Sequence, residues 1–375
     1  MPSPATPPDD LAAALRETYP ELARVGAAAG DPVYLVGGAV RDLLLGHGRA
    51  DLDLVVVGDP ARLAAALGAE TVREHERFAT AKLRLDGHEL DLAAARTETY
   101  ERPGALPRVA PAGSIEDDLG RRDFTINALA IPLAGEPRLI DPHGGRADLA
   151  AGRLRILHPG SFRDDPTRAL RAARYAGRFG FGLERETERL LRAADLDTVS
   201  AERRLAELLR LAAEPSAAAG FALLGSWGLV ELRPGGAELA GRVAELLADA
   251  PWRGEAEPAE AVLAAACGPA GGEEKLAAAR PERPSEGAAL AARARPTELV
   301  LARALGARWL DRYLTEWRGV ALEIDGEDLI AAGTPPGPAL GRGLAAALAA
   351  KLDGEVSGRE QELACALAAA GGRDG

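Results

Sequence analysis

The stretch from residue 33 to residue 59, VYLVGGAVRDLLLGHGRADLDLVVVGD, decides the fold of this 375-residue chain. Its first four residues are apolar and predict a buried strand, which runs into Gly37 and Gly38 and then into a predicted helix, Ala39 to Leu45. A second strand is expected from Leu52 to Val57. Glycines between a strand and a helix let a phosphate approach the free N–H groups of the backbone. The stretch therefore predicts an α/β module, and a glycine pair that merely ends a strand is the alternative.

Two aspartates stand at the head of the second strand. Because side chains two residues apart on a strand point to the same face, Asp51 and Asp53 project together, while Leu52, Leu54 and Val56 face the core. Neighbouring carboxylates repel each other unless a cation lies between them, and hard oxygen ligands select Mg²⁺. The pair predicts a Mg²⁺ site, and the alternative is two solvated side chains at a strand end.

The rest of the chain separates into an α/β part and a helical part. Further elements are expected at these positions: an amphipathic helix at 11–29, a helix at 61–67, strands at 82–85 and 89–93, and an irregular segment at 97–113. From about Leu149 onward Ala, Leu, Arg and Glu dominate, and helices are expected to the end.

The overall charge counts against nucleic-acid binding, but its distribution does not. The net charge is −12 and the pI about 5.1, whereas phosphate contacts demand positive charge. From Arg153 to Arg178, however, there are seven arginines and only two acidic residues, Asp164 and Asp165. One strongly basic segment is therefore present in an acidic chain.

No targeting or membrane segment is expected. The first residues, MPSPATPPDD, lack a basic region followed by an apolar core, and no later apolar stretch has spanning length. Cys267 and Cys365 lie in unrelated alanine-rich stretches without metal-ligand spacing, which fits a reducing compartment. We therefore expect a cytoplasmic location and no membrane partner.

Two further segments are rich in arginine. RRDFTINALA (121–130) follows the acidic residues 116–118, and guanidinium groups there suit triphosphate oxygens, although a charged helix start is the alternative. In DDPTRALRAARY (164–175), Arg168, Arg171 and Arg174 repeat every three residues and stay near one helix face. The alternatives there are an ordinary N-cap at Asp165 and a solvated arginine stripe.

The order of the motifs resembles the class II tRNA nucleotidyltransferase and bacterial poly(A) polymerase family. The matching stretches are LVGGAVRDLLLG (35–46) followed by DLDLVVVGD (51–59), RRDFTINALA (121–130), DPHGG (141–145), DDPTRALRAARYAGRFGF (164–181) and SAERRLAELL (200–209). Residues 322–348 resemble the tail of the CCA-adding members. Only the leader and roughly residues 235–296 lack a clear counterpart.

The resemblance implies an α+β fold: an N-terminal nucleotidyltransferase α/β head with a small mixed sheet, followed by an all-α neck, body and tail. We expect these limits: leader and N-terminal helix 1–30, head 31–150, neck 151–213, body 214–300 and tail 301–375. The body and tail are expected to bind tRNA by shape and backbone contacts.

The resemblance also implies an activity, the addition of CCA to the tRNA 3′ end from CTP and ATP, with Asp51 and Asp53 binding Mg²⁺. Gly38, Arg41 and Arg122 match family positions that hold the triphosphate and sugar of the nucleotide. Arg171 and Arg174 match nucleotide-contacting positions. Two other aspartates are named for other reasons: Asp91 is a candidate third carboxylate, and Asp141 matches a structural position between head and neck.

Asp165 and Arg168 match the pair that selects the nucleotide in this family. Cytosine and adenine each present an amino donor beside a ring-nitrogen acceptor, so a carboxylate and a guanidinium can pair with either base. Uracil and guanine reverse this pattern and would leave polar groups unpaired, at about 1–3 kcal/mol each. Asp164 replaces a glutamate common in the family, but the pairing residue is unchanged.

Several alternatives remain open from sequence. Residues 95–109, ARTETYERPGALPRV, resemble the flexible loop with which CCA-adding enzymes switch from C to A addition, and an intact loop disfavours a CC-only enzyme. An A-adding enzyme or a poly(A) polymerase of the same family is an alternative. An inactive RNA-binding paralogue is another, against which the retained aspartates and arginines count. The sequence does not define an oligomeric state.

Overall fold

The computed structural model describes residues 10–75 and 80–371, and it divides into two compact units on either side of Val230. The first unit contains the sheet and the arginine-rich helix, and the second is helical. The domain limits expected from sequence remain predictions.

Helices and strands alternate in the first half of the first unit. Its elements are α1 (Leu11–Thr18), α2 (Leu22–Ala28), β1 (Val33–Val36), α3 (Gly38–Leu44), β2 (Leu52–Val56), α4 (Pro60–Leu67), β3 (Glu70–His75), β4 (Thr80–Leu85), β5 (His88–Ala94), β6 (Arg96–Thr99), β7 (Arg108–Pro111), α5 (Ile115–Gly120), β8 (Ala130–Pro132), α6 (Gly145–Ala150), β9 (Arg153–Leu154), α7 (Ser161–Asp164), α8 (Thr167–Phe179), β10 (Gly182–Leu183), α9 (Arg185–Leu191), α10 (Ala201–Ala212) and α11 (Ala217–Ser226).

Six strands form one mixed sheet in the order β3-β4-β5-β2-β1-β8. Only β2 and β5 run parallel, and the other neighbours are antiparallel. The register of the parallel pair places Asp53 directly beside Asp91. The expected α+β fold with a small mixed sheet is confirmed.

The two faces of the sheet are covered differently. Leu52, Leu54 and Val56 belong to a large core that includes apolar side chains of α1 to α4, as the alternation predicted. On the opposite face a smaller core forms around Val55 and Leu119, and Asp53 on that face is exposed. The carboxylate is therefore presented on the less covered face.

Two local expectations are wrong. The single helix expected at 11–29 is two helices, α1 and α2, because Pro20 cannot donate a backbone hydrogen bond and restricts the residue before it. The segment at 97–113 is not irregular, since β6 and β7 form an antiparallel ribbon. The sequence of β7, RVAP, shows no alternation of polar and apolar residues, and all four residues are exposed in the structure.

The short strands also escaped prediction. Strands β3 and β8 were not expected, and β9 and β10 form a two-residue parallel pair in the region expected to be helical. Strands β8, β9 and β10, of two or three residues, show too few positions for a periodic apolar pattern. Strand β3 is six residues long, but its sequence, ETVREH, contains a single apolar residue.

The second unit consists of helices in the part that the structure describes: α12 (Gly236–Ala248), α13 (Pro258–Cys267), α14 (Gly272–Ala278), α15 (Pro284–Ala291), α16 (Pro296–Ala304), α17 (Trp309–Arg312) continuing as a π-helical turn (Tyr313–Trp317), α18 (Gly326–Ala331), α19 (Pro338–Leu352) and α20 (Arg359–Gly371). Leu329, Ala347 and Ala366 form a buried cluster between the last three helices. Over residues 10–75 and 80–371, none of the helices has both the length and the apolar character of a bilayer-spanning segment.

Candidate active site

A cavity of about 570 Å³ lies where the sheet, the segment after α5 and helix α8 meet in the first unit. It is lined by nine residues for which a metal or nucleotide role was expected, although not by Asp91, the candidate third carboxylate: Gly38, Arg41, Asp51, Asp53, Arg122, Asp165, Arg168, Arg171 and Arg174. Their roles remain predictions, but the fold brings residues that are more than 130 positions apart into one space.

The aspartates present their carboxylates to this cavity. Partial desolvation inside the cavity, together with the charges of Asp91 and Asp51, raises the pKa of Asp53, and the Arg122 guanidinium partly offsets that rise. The ionised form of Asp53 is therefore disfavoured where no cation balances it. A divalent cation is the group whose binding would relieve this cost.

The donor set fits Mg²⁺ bound together with a substrate. In the described residues, no group of three or more His, Cys, Asp or Glu side chains is arranged to hold a metal ion. Mg²⁺ is commonly held by one or two carboxylates while phosphate oxygens and waters complete its octahedral shell. Asp51 and Asp53 match that requirement, because they lie beside arginines that line the same cavity and can bind phosphate oxygens.

Asp91 lines a second cavity of about 470 Å³, whose wall also includes Asp53, Arg121 and Arg122. The Lys82 ammonium lies 3.9 Å from one Asp91 oxygen and 3.2 Å from Glu89. Asp91 thus has a lysine partner, and whether it is a third carboxylate of the site stays a prediction.

The structure gives a steric reason for glycine at the first position of the pair, Gly37, but not at the second, Gly38. Gly37 has φ +67°, and a Cβ there would lie 2.7 Å from Arg122 Nη1. At Gly38 the nearest atom would be 3.5 Å from a Cβ, which is ordinary contact. Gly37 therefore allows the Arg122 side chain to lie against the turn between β1 and α3.

Arg121 and Arg122 are held from behind by one buried carboxylate. Asp118 accepts from Arg121 Nε at 2.9 Å and from Arg122 Nη2 at 3.0 Å. Burial alone would raise the pKa of Asp118, but the two guanidinium groups lower it further, to below its ordinary value. Asp118, the last of the acidic residues before RRD, thus holds the Arg122 guanidinium in a fixed position.

Helix α8 supplies the arginine side of the cavity. Its Arg168, Arg171, Arg174 and Arg178 all line the space, so the predicted stripe faces the cavity and not bulk solvent. Arg171 forms a buried ion pair with Asp123, whose pKa falls to about 2; burial opposes this shift, but Arg171 and Asn127 outweigh it. The same ion pair raises the pKa of Arg171.

Arg41 is also preorganised. It donates to both oxygens of Asp42, at 2.9 and 3.0 Å, and to Asn127 Oδ1 at 2.6 Å, while its guanidinium lies 4.7 Å from the centre of the Phe179 ring. The expected nucleotide contact of Arg41 would therefore come from a guanidinium whose orientation is already set.

The pair Asp165 and Arg168 is held at the start of α8. Asp165 Oδ1 accepts from the Thr167 backbone N–H at 3.1 Å, as the N-cap alternative required. Arg168 is buried and donates to Ser161 Oγ at 2.6 Å and to the Arg121 carbonyl at 2.8 Å. Capping thus uses one oxygen of Asp165 and does not exclude a second role for the other.

The basic segment does not act as one patch. Arg153 and Arg155 pair with buried Asp148, and Arg163 pairs with Asp164 on the surface. Asp141 accepts from the backbone N–H groups of Gly145 and Arg146, at 2.7 and 3.0 Å. Asp141 therefore satisfies the first two backbone N–H groups of α6, and the role expected for it between head and neck stays a prediction.

Sequence reasoning missed several residues at the site. Glu98 and Tyr100 of the ribbon line the cavity, and Glu98 accepts from both Arg121 and the Tyr100 hydroxyl. Burial, with Glu98 nearby, raises the pKa of Tyr100 to about 12. Arg203 of α10 pairs with Asp165 at 2.9 Å. Only the SAERRLAELL motif pointed toward Arg203, and it singled out no residue.

Related proteins are found over most of the chain. Residues 33–155 match the family model described as the poly A polymerase head domain. A CC-adding tRNA nucleotidyltransferase of Deinococcus radiodurans is 38% identical over 348 residues, which is 88% of this chain and 87% of that protein. The chain belongs to the class II tRNA nucleotidyltransferase and bacterial poly(A) polymerase family.

Solved structures share the fold over nearly the whole chain. A CCA-adding enzyme in an apo form has a TM-score of 0.81 and 30% identity, covering 96% of this chain and 99% of that one. The Thermotoga maritima CCA-adding enzyme complexed with tRNA has a TM-score of 0.74 and 28% identity, covering 96% and 98%.

Other relatives match only in part. Three A-adding tRNA nucleotidyltransferases, from Aquifex aeolicus, Halalkalibacterium halodurans and Geobacter sulfurreducens, are 50%, 44% and 43% identical to about half of this chain. The matches span 20%, 48% and 23% of those proteins' own lengths.

Proposed function

We propose that this protein adds CCA to the 3′ end of tRNA from CTP and ATP, with Mg²⁺ held by Asp51 and Asp53 and with release of pyrophosphate. The observation that carries the proposal is that one cavity is lined both by these aspartates and by the pair Asp165 and Arg168. A nucleotide with its phosphates near the carboxylates can present its base to that pair.

The side chains of the cavity divide the work. Mg²⁺ bound to the aspartates would supply activation of the 3′ hydroxyl and neutralise charge at the α-phosphate. Arg122, Arg171 and Arg174 would bind the triphosphate, with Asp118 and Asp123 holding Arg122 and Arg171 in place. Carboxylates behind the arginines fix their geometry before the nucleotide arrives.

Nucleotide choice would be made by protein atoms. Asp165 would accept from the exocyclic amino group of cytosine or adenine, and Arg168 would donate to the neighbouring ring nitrogen. Arg168 donates one N–H of Nη1 to Ser161 and one N–H of Nη2 to Arg121. A guanidinium group has five N–H donors, so these bonds hold Arg168 in place and still leave donors for a base.

The fold relatives support these substrates. Among the similar solved structures are CCA-adding enzymes in complex with ATP, with CTP and with tRNA. We infer that tRNA is the acceptor here, that both nucleotides are donors, and that the reaction takes place in the cytoplasm, as the sequence led us to expect.

CC addition alone is the second candidate, and one observation favours it: a relative matched over 87% of its own length is a CC-adding enzyme. Against it stands the segment at 95–109, which is complete in sequence and ordered as a ribbon beside the cavity. The A-adding relatives match only about half of the chain, so they support A-only addition less than the CC-adding relative supports CC addition.

The test measures incorporation of each labelled nucleotide, with Mg²⁺, onto three RNAs: a tRNA ending at the discriminator base, a tRNA ending in CC, and an unstructured RNA. Addition of C, C and A to the first, followed by termination, is the expected result. A stop after CC would identify the second candidate, and extension of only the CC-ended tRNA would identify an A-adding enzyme. Long A tails on unstructured RNA would indicate a poly(A) polymerase, and no incorporation anywhere would refute an active enzyme.

A further inference from the structure

Arg203 joins three parts of the first unit with one guanidinium group. Its Nη2 donates to Asp165 Oδ1 at 2.9 Å, and its Nη1 donates to the backbone carbonyl of Gly104 at 2.8 Å. Arg203 lies on α10, Asp165 precedes α8, and Gly104 lies in the loop of the β6–β7 ribbon. Arg203 is not among the residues that line the cavity, so any effect it has on a nucleotide passes through Asp165.

The contacts of Asp165 are confined to one of its two oxygens. Oδ1 accepts from the Thr167 backbone N–H at 3.1 Å, the Thr167 hydroxyl at 2.7 Å and Arg203 at 2.9 Å. Oδ2 accepts no hydrogen bond from the described residues. Three donors on Oδ1 therefore fix the rotation of the carboxylate and leave Oδ2 for a ligand.

The loop end of this connection is also rigid. Gly104 has φ +70°, and a Cβ there would lie 2.4 Å from the Thr198 carbonyl oxygen. The Gly104 N–H donates to the Arg163 carbonyl at 3.3 Å. The loop backbone is thus seated against the helical part of the unit, which holds the Gly104 carbonyl where Arg203 reaches it.

We propose that Arg203 is a positioning residue for nucleotide selection, because it holds Asp165 with Oδ2 directed to the incoming base. This inference rests on the proposed function. The guanidinium fork donates to Asp165 and Gly104 at the same time, and an apolar side chain such as methionine can donate to neither. Without it the carboxylate loses one of the donors on Oδ1 and gains freedom to turn, so an acceptor no longer faces the amino group of cytosine in a fixed position.

The test compares Arg203→Met with Arg204→Met. Arg204 is the next residue and pairs with the exposed Asp197 at 2.8 Å, so its loss removes an arginine from the same helix without touching Asp165. The readout is the ratio of kcat/KM for CTP and for UTP on a tRNA ending at the discriminator base. Inorganic triphosphate, which has no base, is used as a competitive inhibitor to report on the phosphate site.

Arg203→Met is expected to lower the CTP to UTP ratio about tenfold, mainly through a higher KM for CTP, the size expected for a lost charged hydrogen bond. Arg204→Met is expected to keep the wild-type ratio, and triphosphate is expected to inhibit both variants as it inhibits the wild type. An unchanged ratio in Arg203→Met, or an equal loss of triphosphate inhibition, would overturn the proposal.

If Arg203→Met does not fold, as judged by thermal melting, Arg203→Lys is compared with Arg204→Lys. One ammonium cannot hold both partners of the fork in the same geometry, so a fall of about threefold in the ratio is expected, and no fall overturns the proposal. A wild-type protein that adds no nucleotide to any RNA would instead refute the proposed function, and this is seen before any variant is compared.

Discussion

The Arg171 Nε–H donates to Asp123 Oδ2 at 2.8 Å, and Arg171 Nη2 lies 2.6 Å from the same oxygen, which ties helix α8 to the RRD segment 48 residues earlier. The other Asp123 oxygen accepts from the Phe124 N–H and from Asn127. Both oxygens of this buried carboxylate are therefore satisfied, and the arginine row of the cavity is fixed from the head side.

Asp123→Asn is expected to destabilise the protein by about 2 kcal/mol at pH 7, because the folded-state pKa of about 2 lies below the ordinary value of 3.8. A lowered pKa stabilises the folded state above the ordinary pKa, and that contribution is lost as the pH falls from about 4 toward 2. Urea unfolding at several pH values measures the difference between wild type and variant. Asp164→Asn is the control, since Asp164 pairs only with the exposed Arg163, and it should change stability by less than about 0.5 kcal/mol. If the difference in the free energy of unfolding between wild type and Asp123→Asn stayed constant down to pH 2, the lowered pKa of Asp123 would be contradicted.

Gly37→Ala is expected to cost about 1–3 kcal/mol, because alanine at φ +67° is strained and its Cβ would displace Arg122. Gly38→Ala is the matched control, and its Cβ meets nothing closer than 3.5 Å. Its stability should stay within about 0.5 kcal/mol of wild type. Urea unfolding measures the free energy of unfolding of both variants. If Gly37→Ala and Gly38→Ala lost the same amount of stability, the turn would impose no special requirement at Gly37.

Asp53→Asn is expected to abolish detectable incorporation and to weaken Mn²⁺ binding, followed by electron paramagnetic resonance, by more than about 100-fold, beyond the effect of an outer-shell change. Because the pKa of Asp53 is raised, its charge destabilises the metal-free folded state above the ordinary pKa. The thermal midpoint of the metal-free variant at pH 7 should therefore equal or exceed that of the wild type.

Asp91→Asn is the matched control for that variant, since Asp91 is the register partner of Asp53 and carries the same charge. It should bind Mn²⁺ within about tenfold of wild type and remain active, as an outer-shell change would. If Mn²⁺ affinity falls as far in Asp91→Asn as in Asp53→Asn, the site has three carboxylates.

Arg168→Lys is expected to reduce discrimination of CTP and ATP against UTP and GTP by at least about tenfold, because lysine cannot keep both supporting bonds and still offer a fixed donor. Arg163→Lys, on the exposed side of the same segment, should leave discrimination unchanged. Competition between labelled and unlabelled nucleotides measures the ratio. If Arg168→Lys still selected CTP and ATP over UTP and GTP as strongly as the wild type, a positive charge at this position would suffice for selection, and the geometry of the guanidinium group would not matter.

Local patterns predicted much of the fold. The strands at 33–36 and 52–56 and helix α4 were expected within one residue of their observed limits, because apolar alternation and glycine signals act over a few neighbouring positions. The break at Pro20 and the exposed strand β7 were missed. Strand β7 is stabilised by its backbone pairing with β6, and its four residues show no alternation of polar and apolar side chains from which the strand could be predicted.

The candidate site was predicted unevenly. Asp51, Asp53 and the arginines of α8 were named because their spacing within one strand or one helix is a local property. Glu98, Tyr100 and Arg203 were not, since each contributes through a partner distant in sequence or in another element, such as Asp165, 38 residues before Arg203. Nothing in their immediate neighbours distinguishes them from ordinary surface residues.

The sequence by itself determined the strands at 33–36 and 52–56, the shared face of Asp51 and Asp53, and the arginine row of α8, because each depends on a pattern that repeats over a few neighbouring residues. Only the tertiary structure decided that Asp91 lies beside Asp53, that Asp123 holds Arg171, and that Arg203 holds Asp165. Those relationships depend on strand register and helix packing, which sum many weak long-range contacts and have no local spacing rule.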